Sequence, residues 1–199
     1  MLTKLEAVNA ILRNLGVSSV TTIDNIANPD VQAAVDALET KRKTIQATSW
    51  WFNTQEGITL PLTVDNEILI ANNVMQVNTP DGGIDVIQHG TRLFNRDTNS
   101  YKFDAPLTDI WMVYVHTWDE LPYSVREVIQ YSAMMQVQSD FEGDQEKLNQ
   151  VEGQLQGAFL TMKREHVRNR KVNIYSNPRS ARLLTGPHYS NNNPYRIGG

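Results

Sequence analysis

The first candidates in this 199-residue chain for moving a proton or attacking a bond are its carboxylates and four histidines. It has no cysteine, so thiol catalysis, disulfides and thiolate zinc sites are excluded. Asp81 and Asp85 flank one turn, Asp97 and Asp104 bracket another, and Asp119-Glu120 follows Trp118. Cleavage of a glycosidic bond needs two carboxyl groups roughly 5–10 Å apart. Among 22 acidic residues some pair meets that spacing by chance. Asp97 reads better as a turn former and Asp119 as a junction or cap residue. His89, His116, His166 and His188 make no ligand pair at i, i+4. Gly82-Gly83 lies in a turn without the lysine and helix of a phosphate-binding loop, and there is no Gly-x-Ser-x-Gly elbow. These patterns supply no catalytic residue, no metal site and no cofactor site, which turns attention to the surfaces the chain presents.

The elements that would carry those surfaces are mostly helices. Thr3 and Glu6 form a capping box with Leu2 as staple, and Leu5, Val8, Ile11, Leu12 and Leu15 make one apolar face that stops at Gly16. Asn28-Pro29-Asp30 opens a second helix whose face is Val31, Ala34, Val35, Leu38 and Ile45. Lys41-Arg42-Lys43 near its end reads as a solvated basic terminus. A third helix begins at Leu121-Pro122-Tyr123-Ser124. It carries Val125, Val128, Ile129, Ala133 and Val137 with Tyr131, Met134 and Met135 beside them, a surface broad enough for more than one neighbour. It breaks at Phe141-Glu142-Gly143-Asp144. The fourth helix then carries Leu148, Val151, Leu155, Ala158 and Met162 as a heptad-like seam, read as a bundle or intersubunit surface. Gly153 and Gly157 lie beside that seam. Each costs about 1 kcal/mol relative to alanine in a helix interior, which fits equally close approach by another helix or subunit and a tolerated weak spot.

Between the helix pairs the period changes. Trp50-Trp51-Phe52 is read as core or domain junction rather than an aromatic platform for a ligand. Short β-type runs follow at Ile58–Leu60, Ile68–Ile70, Val74–Val77, Ile84–Ile87, Arg92–Phe94, Tyr101–Phe103 and 110–116. The last, being the most apolar, is expected at the centre of a sheet. The fold class expected is therefore α+β: a four-helix bundle-like body with an inserted small antiparallel β domain and an extended C-terminal tail. The boundaries are 1–52 and 119–172 for the discontinuous helical domain, 53–118 for the inserted domain and 173–199 for an extended or disordered basic tail.

Charge divides the chain in a second way. Residues 1–162 carry 10 Lys/Arg against 21 Asp/Glu, whereas residues 163–199 carry 8 Lys/Arg and only Glu165. An acidic body with a basic tail fits either a tail that docks on something negative or a solubilising C-terminus that touches nothing. Ile174, Tyr175, Leu183 and Leu184 would give that tail apolar anchors. No apolar run approaches the roughly 20 residues of a membrane helix, and the N-terminus lacks an export-signal pattern.

The junction Ile45-Gln46, Trp51, Phe52-Asn53, then Glu56-Gly57-Ile58-Thr59-Leu60, resembles the tail tubular protein A family of short-tailed podoviruses. So does Asp119-Glu120-Leu121-Pro122 before the third helix, and the likeness covers most of residues 5–165. The resemblance implies a structural virion protein, made in the host cytoplasm, that forms the adaptor or gatekeeper ring. It implies a homo-oligomer, dodecameric in the virion, docked beneath the portal, with the nozzle protein (tail tubular protein B) attached below. Tail fibres would anchor near that junction, and DNA would pass through the lumen without sequence-specific binding. On that basis the helices are expected to face neighbouring subunits, with Leu148, Val151, Gly153, Leu155 and Gly157 at the subunit interface. The expected partner-docking stretch is Arg168, Arg170, Lys171, Ile174, Tyr175, Arg179, Arg182, Leu183 and Leu184. Two other classes compete: a tail protein that also hydrolyses capsule or exopolysaccharide, and a nucleic-acid binder using the basic tail.

Overall fold

A computed structural model describes residues 2–24, 28–80, 83–141 and 144–170 of the chain. Four helices and two small antiparallel sheets make an α+β architecture. Helix α1 spans Lys4–Asn14, α2 Pro29–Gln46, α3 Tyr123–Phe141 and α4 Gln145–Asn169. Strands β1 (Thr54–Leu60), β2 (Val74–Asn78), β3 (Val86–His89), β4 (Arg92–Asn95) and β5 (Leu107–Tyr114) lie between α2 and α3.

The helix ends form for local reasons. Glu6 N–H donates to Thr3 Oγ1 at 3.1 Å and Thr3 N–H to Glu6 Oε2 at 2.7 Å, completing the capping box. At the other end Gly16 takes φ +76°, and Val17 N–H reaches the Leu12 carbonyl at 2.9 Å, closing the last turn in the Schellman pattern. Asn28 caps α2 through the Asp30 amide, and Asp144 caps α4 through the amides of Glu146 and Lys147.

Helix α3 is the axis of the body, packing against α1, α2 and α4. Its breadth of apolar surface is used on several sides: Val125, Val128, Ile129, Ala133, Met134 and Val137 are all buried. Around them gather Val8, Ile11 and Leu12 of α1, Leu38 of α2 and Met162 of α4, with Trp118 closing one end. Burying one such side chain contributes roughly 1.5–3 kcal/mol.

The three-stranded sheet has the order β1-β5-β2, so the most apolar run does lie in the middle. Strands β3 and β4 form a separate hairpin. A second core gathers Leu60, Ile68, Leu93, Phe103, Ile110 and Met112. Two expected strands are not strands. Ile68–Ile70 makes a single bridge, Leu69 to Arg92, and Tyr101–Phe103 forms no ladder. Both runs bury Ile68, Ile70 and Phe103 but share only isolated amide bonds with their neighbours, such as Ile70 to the Thr91 carbonyl at 2.8 Å. Apolar alternation reported their burial rather than their pairing. Strand β1 also starts earlier than expected, directly after Asn53. The expected basic tail, 173–199, lies outside the described residues.

Candidate functional site

The carboxylates come first, since they were the candidate chemistry. Asp85 pairs with Arg96 at 3.3 Å, while Asp97 Oδ2 accepts the Asp85 amide at 3.1 Å; together they tie the β3–β4 hairpin. Asp97 N–H in turn donates to Asn95 Oδ1 at 2.9 Å, the turn-former role expected of it. Asp104 is exposed, and Asp81 lies outside the described residues. Asp119 is exposed, and its carbonyl accepts from Arg126 Nη2 at 2.7 Å. Glu120 is held by the Thr117 amide at 2.7 Å and hydroxyl at 2.8 Å, and the amide bond first, then the hydroxyl, keeps its carboxyl below the usual range. The carboxyl groups of Asp85, Asp97 and Glu120 thus have structural tasks in a turn or cap, whereas Asp119 is held through its backbone carbonyl. Among the described residues no group of three or more His, Asp or Glu could hold a metal ion.

One cleft collects acids that the sequence did not single out. About 390 Å³ in volume, it is lined by Glu56, Gly57, Pro80, Asp109, Trp111 and Arg170. Gly57 (φ +72°) and Asp109 (φ +58°) both take the left-handed conformation where the β1–β5 register breaks. Arg170 Nη2 stands 3.6 Å from Glu56 Oε1. Gly57 was a signal for one of the two register breaks; nothing in the sequence placed Asp109 at the other.

The residues that carried the family resemblance form a junction between the two cores. Gln46 is fully buried, and its amide grips the backbone of His116 from both sides. His116 N–H donates to Oε1 at 2.7 Å, and Nε2 donates to the His116 carbonyl at 3.1 Å. The Arg42 guanidinium donates to the same carbonyl and pairs with Glu39 at 2.8 Å. Arg42 is therefore no solvated helix end, which corrects that expectation; Lys43 beside it is exposed. Asn53, also buried, accepts the Trp50 amide at 2.8 Å and donates to the Gln46 carbonyl at 2.7 Å, while its carbonyl accepts the Tyr114 amide at 2.8 Å. Both chain crossings between helices and sheet are thus tied to one another.

The aromatics brace this junction against α4. Trp50 meets Phe159 and His166 edge to face at centroid distances of 6.2 and 5.2 Å. Trp51 N–H donates to His166 Nδ1 at 3.2 Å, which requires that nitrogen to be unprotonated. Burial, followed by the charge of Arg170, lowers the His166 pKa. The junction role expected for Trp50-Trp51-Phe52 is what these contacts describe.

Helix α4 presents two sides. Val151, Ala158 and Met162 of the seam are buried in the chain's own core, and Leu148 and Leu155 are half-buried. The seam is an intramolecular surface first, because α3 lies against it. The other side is open. A methyl group built on Gly153 or Gly157 meets nothing within 4 Å. Leu160 and Val167 continue their line at heptad spacing and are 55% and 61% exposed. Neither was singled out from the sequence, although the spacing 153, 157, 160, 164, 167 was there to be read. Arg168 and Arg170 are exposed at the end of α4; Lys171, Ile174, Tyr175, Arg179, Arg182, Leu183 and Leu184 lie outside the described residues.

The chain thus has a helical body with an open face on α4 and a β module clamped to that body at the junction. The tail tubular protein family matches residues 5–172, and the chain belongs to that family. It is similar to Tail tubular protein A of Klebsiella phage KP34, at 29% identity over 185 residues covering 91% of this chain and 95% of that protein. The protein is a structural component of a phage tail. No helix among the described residues is long and apolar enough to cross a membrane.

Proposed function

We propose that the chain is the adaptor, or gatekeeper, subunit of the tail: a ring, dodecameric in the virion, seated between the portal and the nozzle protein, tail tubular protein B. Family membership over nearly all of the described chain carries this reading. The division of labour proposed is a discontinuous helical body (1–52 and 119–172), an inserted module (53–118) and a docking tail (173–199). The body contacts neighbouring subunits through the open side of α4, with Gly153 and Gly157 allowing close approach and Leu160 and Val167 as anchors. Of the seam residues, Leu148 and Leu155 keep surface for a neighbour, while Val151 supports them from the core. The β module reaches toward nozzle and fibre, and the stretch from Arg168 to Leu184 docks on the portal. DNA passes the lumen without sequence-specific contact, favoured by the acidic body. Synthesis takes place in the host cytoplasm.

The test is co-sedimentation with the portal. Alanine at both Leu183 and Leu184 is expected to weaken portal binding without unfolding the free chain, as read by far-ultraviolet circular dichroism. Undiminished binding contradicts the docking assignment. The alternative reading, hydrolysis of capsule or exopolysaccharide, would be sought in the β module, at the cleft of Glu56, Asp109 and Trp111. Its Glu56 is exposed and stands 3.6 Å from the Arg170 guanidinium.

A further inference from the structure

Helices α2 and α4 both lie on α3 but leave a strip of it uncovered between them. At one end of that strip a cavity of about 340 Å³ is lined by Ile45, Val128, Ser132, Leu155, Gln156 and Phe159. A second, of about 370 Å³, shares Ser132 and Leu155 and continues past Met135 to Ser139 and Asp140, with Lys41 on the opposite rim. Together they make one groove with a largely apolar near half. From Val128 to Asp140 it runs about 18 Å at helical rise. Its near end is closed by the Trp50 ring against Phe159.

We propose that this groove holds the chain's own segment 171–184 before assembly. The reach fits. Arg170 lies eleven residues past Phe159, about 16 Å along α4, and residues 171–175 span at most about 17 Å when extended. Tyr175 can therefore just return to Phe159, with Ile174 one residue short of it, at the apolar half of the groove. The remaining nine residues to Leu184 are more than long enough to follow it to Met135. Residues 171–199 contain four Lys/Arg and no Asp or Glu. The far half of the groove offers them the Asp140 carboxylate, with Lys41 on the opposite rim. An attached segment also enters at high effective concentration, which a separate partner lacks. The inference rests on the reading of this stretch as the portal-docking strip. It adds that its apolar anchors are sheltered on the body until the portal competes for them.

The absence of cysteine makes the test clean. Ser132→Cys places a thiol on the groove floor, and Ser176→Cys places one next to Ile174-Tyr175. In the full-length free chain, oxidation of this pair is expected to give an intramolecular disulfide at least tenfold faster than the pair Ser132→Cys with Ser190→Cys, which reports the bare tether. Aspartate at both Ile174 and Tyr175 is expected to reduce that rate to the tether value. Equal rates for the two pairs, or a disulfide formed only between two copies, overturns the proposal. Portal binding is measured separately on the Leu183→Ala/Leu184→Ala chain. Its loss alongside equal crosslinking rates would leave the adaptor reading standing and this inference refuted.

Discussion

Arg126 has one of the most determined environments in the molecule. It is 3% exposed, and its guanidinium donates to the carbonyls of Leu121 (2.8 Å), Leu2 (3.0 Å) and Asp119 (2.7 Å). One cation thus ties the start of the chain to the return from the β module. Hydrogen bonds to charged groups are worth about 1.5–3 kcal/mol each, and part of that offsets desolvation. Arg126→Met is expected to lower unfolding stability by about 3 kcal/mol, read by urea denaturation; a change below about 0.5 kcal/mol would show the three contacts to be incidental. His166 gives a pH signature of its own. Its pKa lies below the ordinary 6.5, so the unfolded chain binds the proton more readily. Stability is complete above about pH 6.5 and falls as pH drops through that value toward the folded pKa. The lowered carboxyls act later. The Thr3 amide holds Glu6 down; burial pushes Glu39 up, but the hydrogen bonds from Lys4 and Arg42 outweigh it. Their contribution is present above the ordinary glutamate value of 4.5 and is lost as pH falls through their folded values. His166→Gln is expected to remove the first loss and spare the second in melts taken from pH 7.5 to 4. An unchanged first step would place it elsewhere.

At the scale of the element, α4 has one face committed to α3 and one left open. Gly153→Ala and Gly157→Ala are each expected to stabilise the free chain by about 1 kcal/mol, since the added methyl meets nothing. If the open face seats a neighbour, the same substitutions block assembly, so stability and ring formation move in opposite directions. Stabilisation with unimpaired assembly would remove α4 from the interface. The helices were legible in the sequence because their caps and periods are local: Thr3, Asn28 and Asp144 cap where their residue types said they would. The β module was legible in composition but not in pairing, because Ile68–Ile70 and Tyr101–Phe103 carry strand-like burial without a ladder. Arg42 was misread for a related reason. Its partner carbonyl belongs to His116, and a contact between residues so distant in sequence has no local signature. The Glu56–Asp109 cleft was hidden likewise, since only the register break in the β1–β5 pair brings its two acids together.

At the scale of the whole molecule, the junction decides how the two cores move together. Gln46 and Asn53 bind both crossings, so the β module is held against the body rather than tethered to it. Gln46→Ala leaves the His116 amide without its partner and is expected to cost about 1–3 kcal/mol. Amide exchange should rise at His116 and the end of β5, while α1 stays protected; uniform exchange throughout would show that the junction does not act as a local clamp. A rigid subunit suits a ring, in which each copy must present the same two faces at the same angle.

The most direct measurement of the adaptor reading is electron microscopy of the purified chain mixed with its portal, with light scattering on each component alone. The account predicts a ring of density added to one end of the portal, formed by chains whose inter-subunit contacts run along the Gly153–Val167 side of α4. A folded chain that leaves the portal bare across a range of salt concentrations would contradict it.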